Sequence, residues 1–151
     1  MKHLLIVYHS QSGSTERLAR AADDGAAEEG SCERRLLRAM EASAADLRWA
    51  DGVLFCTPEN FGYVSGGMKD FLDRTYYVVL EEALNRAYAL VVSAGNDGTG
   101  AVRQMQRILR GYPMREVAEP IIVRGPPQEA DLRRARELGA ALAAGLALGI
   151  F

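Results

Sequence analysis

Three short segments of the chain hold residues whose types could bind a phosphate group and a flat aromatic ring. The first is Ser10–Thr15, which consists of small hydroxyl, amide and glycine residues. Backbone N–H groups of such a segment can surround an anion, and the positive end of a following helix adds to the attraction. The segment is therefore a candidate phosphate site. The alternative is an ordinary strand-to-helix turn with a good helix cap, for which Ser14 or Thr15 is the predicted residue.

The other two segments offer groups of a different kind. Residues 57–63 contain the amide Asn60 and the aromatic residues Phe61 and Tyr63, which can lie against a planar ring. Residues 93–100 are rich in glycine, so that a ligand can approach the backbone closely. Taken singly, such aromatic residues are more often packing residues. Together the three segments predict a mononucleotide-like ligand with a phosphate and a flat ring.

Each of the three segments follows an uninterrupted apolar run and precedes a helical pattern. Runs without alternation are typical of strands buried on both faces of a parallel sheet. A fourth such strand and a weaker edge strand complete the set. The predicted strands cover 4–8, 32–40, 52–56, 88–92 and 120–123, and helices follow each of them, from about 15, 42, 65, 101 and 128.

This alternation of strands and helices predicts an α/β fold, a three-layer doubly wound domain with a five-stranded parallel sheet. We expect residues 1–151 to form a single domain. The carboxyl ends of parallel strands lie on one edge, and ligands bind there at the point where the strand order reverses. The three segments should therefore meet at one site.

Composition excludes several classes of function. A net charge of −2 and a pI near 5.7 argue against nucleic-acid binding and give no strong acidic field. Two cysteines are too few for a disulfide scaffold, so we expect a cytoplasmic protein with Cys56 as a buried core thiol. No signal peptide is visible, and the apolar C-terminal run is shorter than a membrane span.

Other phosphate-binding and metal-binding sites lack their signatures. The first loop does not give the G-x-G-x-x-G pattern of nicotinamide-binding domains, and no Walker A lysine is present. A phospho-receiver domain would need acidic residues after the first strand and an aspartate at the end of the third, but this chain has His9-Ser10 and Cys56-Thr57 at those places. No metal site is expected, because His3 and His9 have no matching cluster of ligands. We expect His3 at the surface, whereas His9 could approach the ligand.

Two stretches carry a resemblance to a known family. LLIVYHSQSGSTE is similar to the phosphate-loop signature of the flavodoxin-like superfamily. ADGVLFCTPENFGYVSGGMKDFLDR, residues 50–74, resembles the NAD(P)H-dependent FMN reductase branch, which includes the tryptophan-repressor-binding-protein type of quinone reductase. SAGNDGTG resembles the third loop of that branch. The resemblance extends over essentially the whole chain and implies a sheet of order 2-1-3-4-5 with FMN between strands 1 and 3.

The resemblance also implies which residues bind the cofactor. They would be Ser10, Ser12, Gly13, Ser14 and Thr15 at the phosphate, with Gln11 in the same loop; Pro58, Glu59, Asn60, Phe61 and Gly62 along the isoalloxazine, with Tyr63 beside them; and Ser93, Gly95, Asn96 and Gly100 on the third side. No catalytic side chain is implied, because the flavin carries the redox chemistry.

Two classes of function follow from this resemblance. In the first, the protein is an enzyme in which NAD(P)H reduces FMN and a quinone or similar acceptor takes the electrons. In the second, it is a flavodoxin that carries electrons between partner proteins. The small net charge argues modestly against a carrier, and an FMN-free or sensory variant is a third alternative. Residues 76–80 and the C-terminal helix could form a homodimer contact or belong to the core.

Overall fold

The computed structural model describes residues 1–151. Strands and helices alternate along the chain. Their bounds are β1 (Lys2–Tyr8), α1 (Ser14–Glu29), β2 (Cys32–Arg38), α2 (Ala44–Trp49), β3 (Gly52–Asn60), β4 (Tyr63–Val64), α3 (Gly66–Val79) with a 3₁₀ turn at Leu80–Glu82, β5 (Ala87–Ala94), α4 (Thr99–Gly111), β6 (Arg115–Glu116), β7 (Ile121–Arg124) and α5 (Glu129–Ala147). No helix has both the length and the apolar character needed to cross a bilayer.

The sheet has the predicted doubly wound arrangement. Its strands follow the order β2-β1-β3-β5, all parallel, and β2 is an edge strand as expected. The predicted fifth strand is present in two pieces, because β6 pairs with the start of β5 and β7 pairs with its end. Pro120 lies just before β7 and lacks the N–H group that an uninterrupted ladder would need. The order 2-1-3-4-5 is confirmed, with the last strand divided.

The third strand is longer than the sequence pattern predicts. We expected it to end before Thr57, but β3 continues to Asn60. Thr57 and Pro58 still pair with β5, and the last two residues pair antiparallel with β4. The segment that was expected to be a loop is therefore a β-hairpin, in which Glu59 pairs with Val64 and Asn60 with Tyr63.

The core consists of two apolar layers, one on each face of the sheet. Along β1, Leu4 and Ile6 point to the layer under α1 and α5, while Leu5 and Val7 point to the layer under α2, α3 and α4. All four side chains are fully buried, and burial of each contributes about 1.5–3 kcal/mol. Cys56 is fully buried as predicted, and burial raises the pKa of its thiol.

Helices α1 and α5 cross in backbone contact. A Cβ atom at Gly25 would lie 1.9 Å from the carbonyl oxygen of Arg136, and one at Gly139 would lie 1.9 Å from that of Ala22. Any side chain at either glycine would force the helices apart, since nonbonded carbon and oxygen atoms do not approach so closely. The crossing point is therefore fixed by these two glycines.

Candidate functional site

The carboxyl ends of β1, β3, β5 and β7 surround a cleft of about 540 Å³, a size typical of small-molecule sites. All three segments singled out in the sequence contribute to it. Nine of its lining residues were predicted, namely Gln11, Ser12, Ser14, Thr15, Pro58, Glu59, Asn60, Ser93 and Gly95, and three were not, namely Ala94, Gly125 and Pro126.

The loop after β1 leaves helix α1 without a side-chain cap. Gly13 is the N-cap residue, with a left-handed φ of 101°, and no side chain bonds to the first turn. The hydroxyl of Ser10 instead accepts a hydrogen bond from the N–H of Gly13 at 3.1 Å and closes the loop. The N–H groups of the first turn, from Ser14 onward, therefore remain available to an anion.

The sequence prediction that Ser14 or Thr15 caps this helix is wrong. Thr15 is buried, and its hydroxyl forms a 2.7 Å hydrogen bond with the hydroxyl of Ser93 at the end of β5. Because the Thr15 hydroxyl is bonded to Ser93, it is not available to cap the helix. It also ties the first loop to the third.

The hairpin after β3 has a turn of two residues with positive φ, 55° at Phe61 and 69° at Gly62. Such a turn matches the twist of the flanking strands and favours Asn-Gly over a bulky first residue. The Phe61 side chain is nevertheless fully exposed, and Tyr63 is 38% exposed. The turn therefore presents two aromatic rings at the rim of the cleft without packing them into the core.

Glu59 and Gly100 fasten this hairpin to helix α4. The Glu59 carboxylate accepts hydrogen bonds from the N–H groups of Gly98 at 2.9 Å and Ala101 at 3.1 Å, at the start of α4. A Cβ at Gly100 would lie only 2.0 Å from the carbonyl oxygen of Gly62. Contact with the hairpin therefore requires a glycine at position 100, and no local sequence pattern predicts this contact.

The third loop is fixed mainly by its own polar groups and by β7. Asp97 accepts hydrogen bonds from the hydroxyl and the N–H of Thr99, and these bonds lower the pKa of its carboxyl. The guanidinium of Arg124 donates to the carbonyl of Asp97 at 2.9 Å. Gly95 has open space where a side chain would be, and Asn96 is exposed. The backbone at Gly95 can therefore lie against a ligand.

Two further contacts join the first loop to its neighbours. The amide of Asn60 donates to the amide oxygen of Gln11 at 2.9 Å. Nδ1 of His9 lies 2.8 Å from the hydroxyl of Ser65, the N-cap residue of α3, and its ring packs where a Cβ at Gly67 would be. Burial lowers the pKa of His9. His9 does not line the cleft, so its place is between the first loop and α3.

The remaining predicted residues lie beside the cleft without lining it. They are Ser10, Gly13, Phe61, Gly62, Tyr63, Asn96 and Gly100. Ser10, Gly13 and Gly100 shape the backbone, while the others are exposed at the rim. The missed residues Gly125 and Pro126 follow the last strand, and the rule that places ligands at the carboxyl ends of strands could have found them. His3 lies at the opposite end of β1, where it stacks on Trp49.

The donor groups of the cleft fit a phosphate. At one end it has the free N–H groups of α1 and the hydroxyls of Ser12 and Ser14. Glu59 is the one charged residue lining the cleft, and its carboxylate is already held at the start of α4. A phosphate there would meet hydrogen-bond donors without an unpaired carboxylate beside them.

A comparison with known proteins agrees with this geometry. Residues 37–125 match the family described as NADPH-dependent FMN reductase, which is more than half of the chain. The chain belongs to this family. The matched residues include β3 with α3, β5 with α4, and both pieces of the divided last strand, β6 and β7.

The chain is similar in sequence to two kinds of protein, flavodoxins and a quinone dehydrogenase. A flavodoxin of Aquifex aeolicus is 37% identical over 73 residues, covering 48% of this chain and 40% of that protein. An NAD(P)H dehydrogenase (quinone) of Acidithiobacillus ferrooxidans is 34% identical over 95 residues, covering 50% of this chain and 48% of that protein. The chain spans about half the length of the curated relatives it matches.

Solved structures confirm the fold. A WrbA-like flavodoxin from Agrobacterium tumefaciens superposes with a TM-score of 0.80 at 21% identity and covers 99% of both chains. A flavodoxin from the domain Archaea gives a TM-score of 0.81 at 21% identity, with 94% of this chain and 96% of that one covered. The flavodoxin-like fold is therefore the fold of this reductase-family chain.

Proposed function

We propose that the protein is an NAD(P)H-dependent reductase that holds FMN in the cleft at the carboxyl edge of the sheet and passes electrons to a quinone or similar acceptor. The observation that carries this proposal is the uncapped start of α1, which offers N–H groups and serine hydroxyls to a phosphate at one end of the cleft. Membership of the FMN reductase family supports the same ligand.

The residues present suggest how FMN would be held. The N–H groups of Ser14 and Thr15 and the hydroxyl of Ser12 would bind its phosphate. The hairpin 58–63 and the segment 93–96 would flank its ring, largely through backbone groups. Bound FMN would supply the redox chemistry, since it can exchange both hydride and single electrons. The chain itself would bind the phosphate and orient the ring.

The surface around the cleft supports a reductase over a protein-to-protein carrier. Carriers use charged patches to steer partner proteins. Here the lining carboxylate of Glu59 is held by backbone N–H groups, and the rim instead exposes the aromatic rings of Phe61 and Tyr63. Such rings offer contact area to a planar small molecule such as a quinone.

The test is to load the purified protein with FMN, remove oxygen, add NADPH or NADH, and follow the visible flavin band. We expect rapid bleaching by at least one nucleotide and recovery of the band when a benzoquinone is added. FMN that stays oxidised with both nucleotides, but is reduced by dithionite, would replace this proposal with the carrier function. Failure to bind FMN at all would refute both.

A further inference from the structure

A groove of about 450 Å³ lies between α3 and α4, on the face of the sheet opposite α1 and α5. Its floor is apolar, because it is formed by Leu72 and Tyr76 of α3 and by Ile108 of α4. The exposed Tyr77 stands on one wall and holds the Tyr76 ring in an edge-to-face contact, with 5.0 Å between the ring centroids. None of these residues lines the cleft proposed to hold FMN.

The α3–α4 groove leads toward the rim of the FMN cleft. Arg107 and Gly111 follow Gly100 by seven and eleven residues, so all three lie on one face of α4. Gly100 touches Gly62 of the hairpin, and a Cβ at Gly111 would lie 3.4 Å from the Tyr76 ring. This face of α4 therefore runs about 16 Å from the hairpin to the last turn of the helix, with the groove along it.

Tyr63 of the hairpin marks the near end of the groove. The pKa of the Lys69 ammonium group is raised, chiefly because Asp73 accepts its hydrogen bond at 2.7 Å, and in smaller part by the phenol of Tyr63. Such an electrostatic effect requires proximity, so Tyr63 lies close to Lys69, which lines the groove. A planar ring that contacts Phe61 and Tyr63 at the rim therefore has the groove directly beside it.

The chemistry of the groove suits a hydrocarbon chain. Its walls are helices, whose backbone N–H and C=O groups are mostly bonded within α3 and α4. Lys69 and Asp73 pair with each other, and the exposed Arg107 can lay its stem along the groove while its guanidinium stays in water. The groove thus offers apolar contact and few free hydrogen-bonding groups. An extended peptide would leave its own backbone groups without partners there.

We propose that the α3–α4 groove binds the isoprenoid side chain of the quinone acceptor, so that the protein prefers prenylated quinones to quinones without a tail. The proposal rests on the reductase function proposed above. The quinone ring would meet the flavin at the rim, beside Phe61 and Tyr63. The tail would lie over Leu72, Tyr76 and Ile108, where it adds affinity and takes no part in electron transfer.

The test compares the binding of two quinones to the oxidised, FMN-loaded protein by calorimetry. One is a benzoquinone without a side chain, and the other carries three isoprene units on the same ring. Each buried methylene group strengthens binding roughly fourfold, so we expect the tailed quinone to bind about tenfold more tightly or better. Equal binding of the two quinones would overturn the proposal.

Two variants alter the groove in different ways. Ile108→Gln makes its floor polar, and Gly111→Leu fills its far end with a side chain whose Cβ meets no closer contact than 3.4 Å. In both, the preference for the tailed quinone should fall roughly fourfold or more, because contact with at least one methylene group is lost. FMN affinity and binding of the tailless quinone should not change. A preference that persists in both variants would contradict the assignment.

Val102→Gln is the matched control for Ile108→Gln. Val102 is also a half-buried apolar residue of α4 that packs on the same core layer, but it does not line the groove. It should keep the full preference for the tailed quinone. All proteins meet the same quinone solutions, so partition of the tail into detergent cancels in the comparison. A dimer in sedimentation that Ile108→Gln dissociates would show that a second copy covers the groove, and the proposal would fail.

The same proteins separate this inference from the proposed function. If a nicotinamide nucleotide bleaches the flavin and the tailless quinone restores the band, but the tail adds no affinity, the groove assignment fails and the reductase stands. If neither nucleotide bleaches the flavin, while the preference for the tail is present in the wild type and lost in Ile108→Gln, the reductase fails and the groove stands as a site for an isoprenoid chain.

Discussion

The contact between Gly100 and the hairpin gives the sharpest prediction about how the site is held. A Cβ at position 100 would lie 2.0 Å from the carbonyl oxygen of Gly62, whereas real Cβ atoms essentially never come within 3.0 Å of such a neighbour. The substitution Gly100→Ala therefore forces the hairpin and α4 apart by about 1 Å. Both partners are backbone, so no side-chain rotation relieves the clash.

Two opposing terms set the effect of Gly100→Ala on stability. Alanine in place of glycine favours the helix by up to about 1 kcal/mol, while overpacking of this kind costs about 1–3 kcal/mol. We expect a net loss of about 1–2 kcal/mol in the free energy of unfolding. FMN affinity should fall more markedly, by about tenfold or more, because the displaced hairpin carries Pro58, Glu59 and Asn60 into the cleft.

The assay is urea unfolding of the FMN-free protein together with fluorescence titration of FMN. Gly66→Ala is the control, because Gly66 also lies in the first turn of a helix beside the same hairpin and has no atom within 4 Å of the added Cβ. It should gain up to about 1 kcal/mol and keep its FMN affinity. The reasoning is refuted if Gly100→Ala behaves like Gly66→Ala in both measurements.

Three further substitutions test other parts of the site. Ser14→Asp should raise the free energy of unfolding by about 0.3–1 kcal/mol, because a carboxylate is favourable in the first turn of α1, and it should abolish FMN binding, because the carboxylate repels the phosphate. Thermal melting and FMN titration measure the two effects. The uncharged control Ser14→Asn should show a smaller gain in stability and a smaller loss of FMN affinity. Phe61→Asn should raise the free energy of unfolding by about 1 kcal/mol, because asparagine adopts the left-handed conformation at this turn more readily than phenylalanine. It should also raise the KM for a quinone, because the aromatic ring is lost. An unchanged KM would contradict a role for the ring. Burial lowers the pKa of His9 from its ordinary 6.5, so the unfolded chain binds a proton at this residue at a higher pH than the folded chain does. The free energy of unfolding should therefore fall as the pH drops below about 6.5. His9→Asn should flatten that slope in urea midpoints measured between pH 7.5 and 5.5, and an unaltered slope would place the titration elsewhere.

The sequence alone determined the fold and the edge of the sheet where the site lies. Uninterrupted runs such as Leu4–Tyr8 specify buried parallel strands, and a parallel sheet brings the ends of its strands to one edge. Residues that follow those strands and line the cleft, including Gln11, Ser12 and Asn60, could therefore be predicted from the sequence. This information is local, because it depends on residue type and spacing along the chain.

Only the tertiary structure decided what each of these residues does. Thr15 bonds to Ser93 across 78 positions of sequence, and so it does not cap its own helix. Gly100 meets Gly62, and Tyr76 of α3 shares a groove with Ile108 of α4. Such partners follow from how the helices and the hairpin pack, and packing depends on backbone distances that no local pattern encodes. The sequence thus specified the edge of the sheet at which the cleft lies, and the packing of distant residues specified the shape of that cleft and the charge around it.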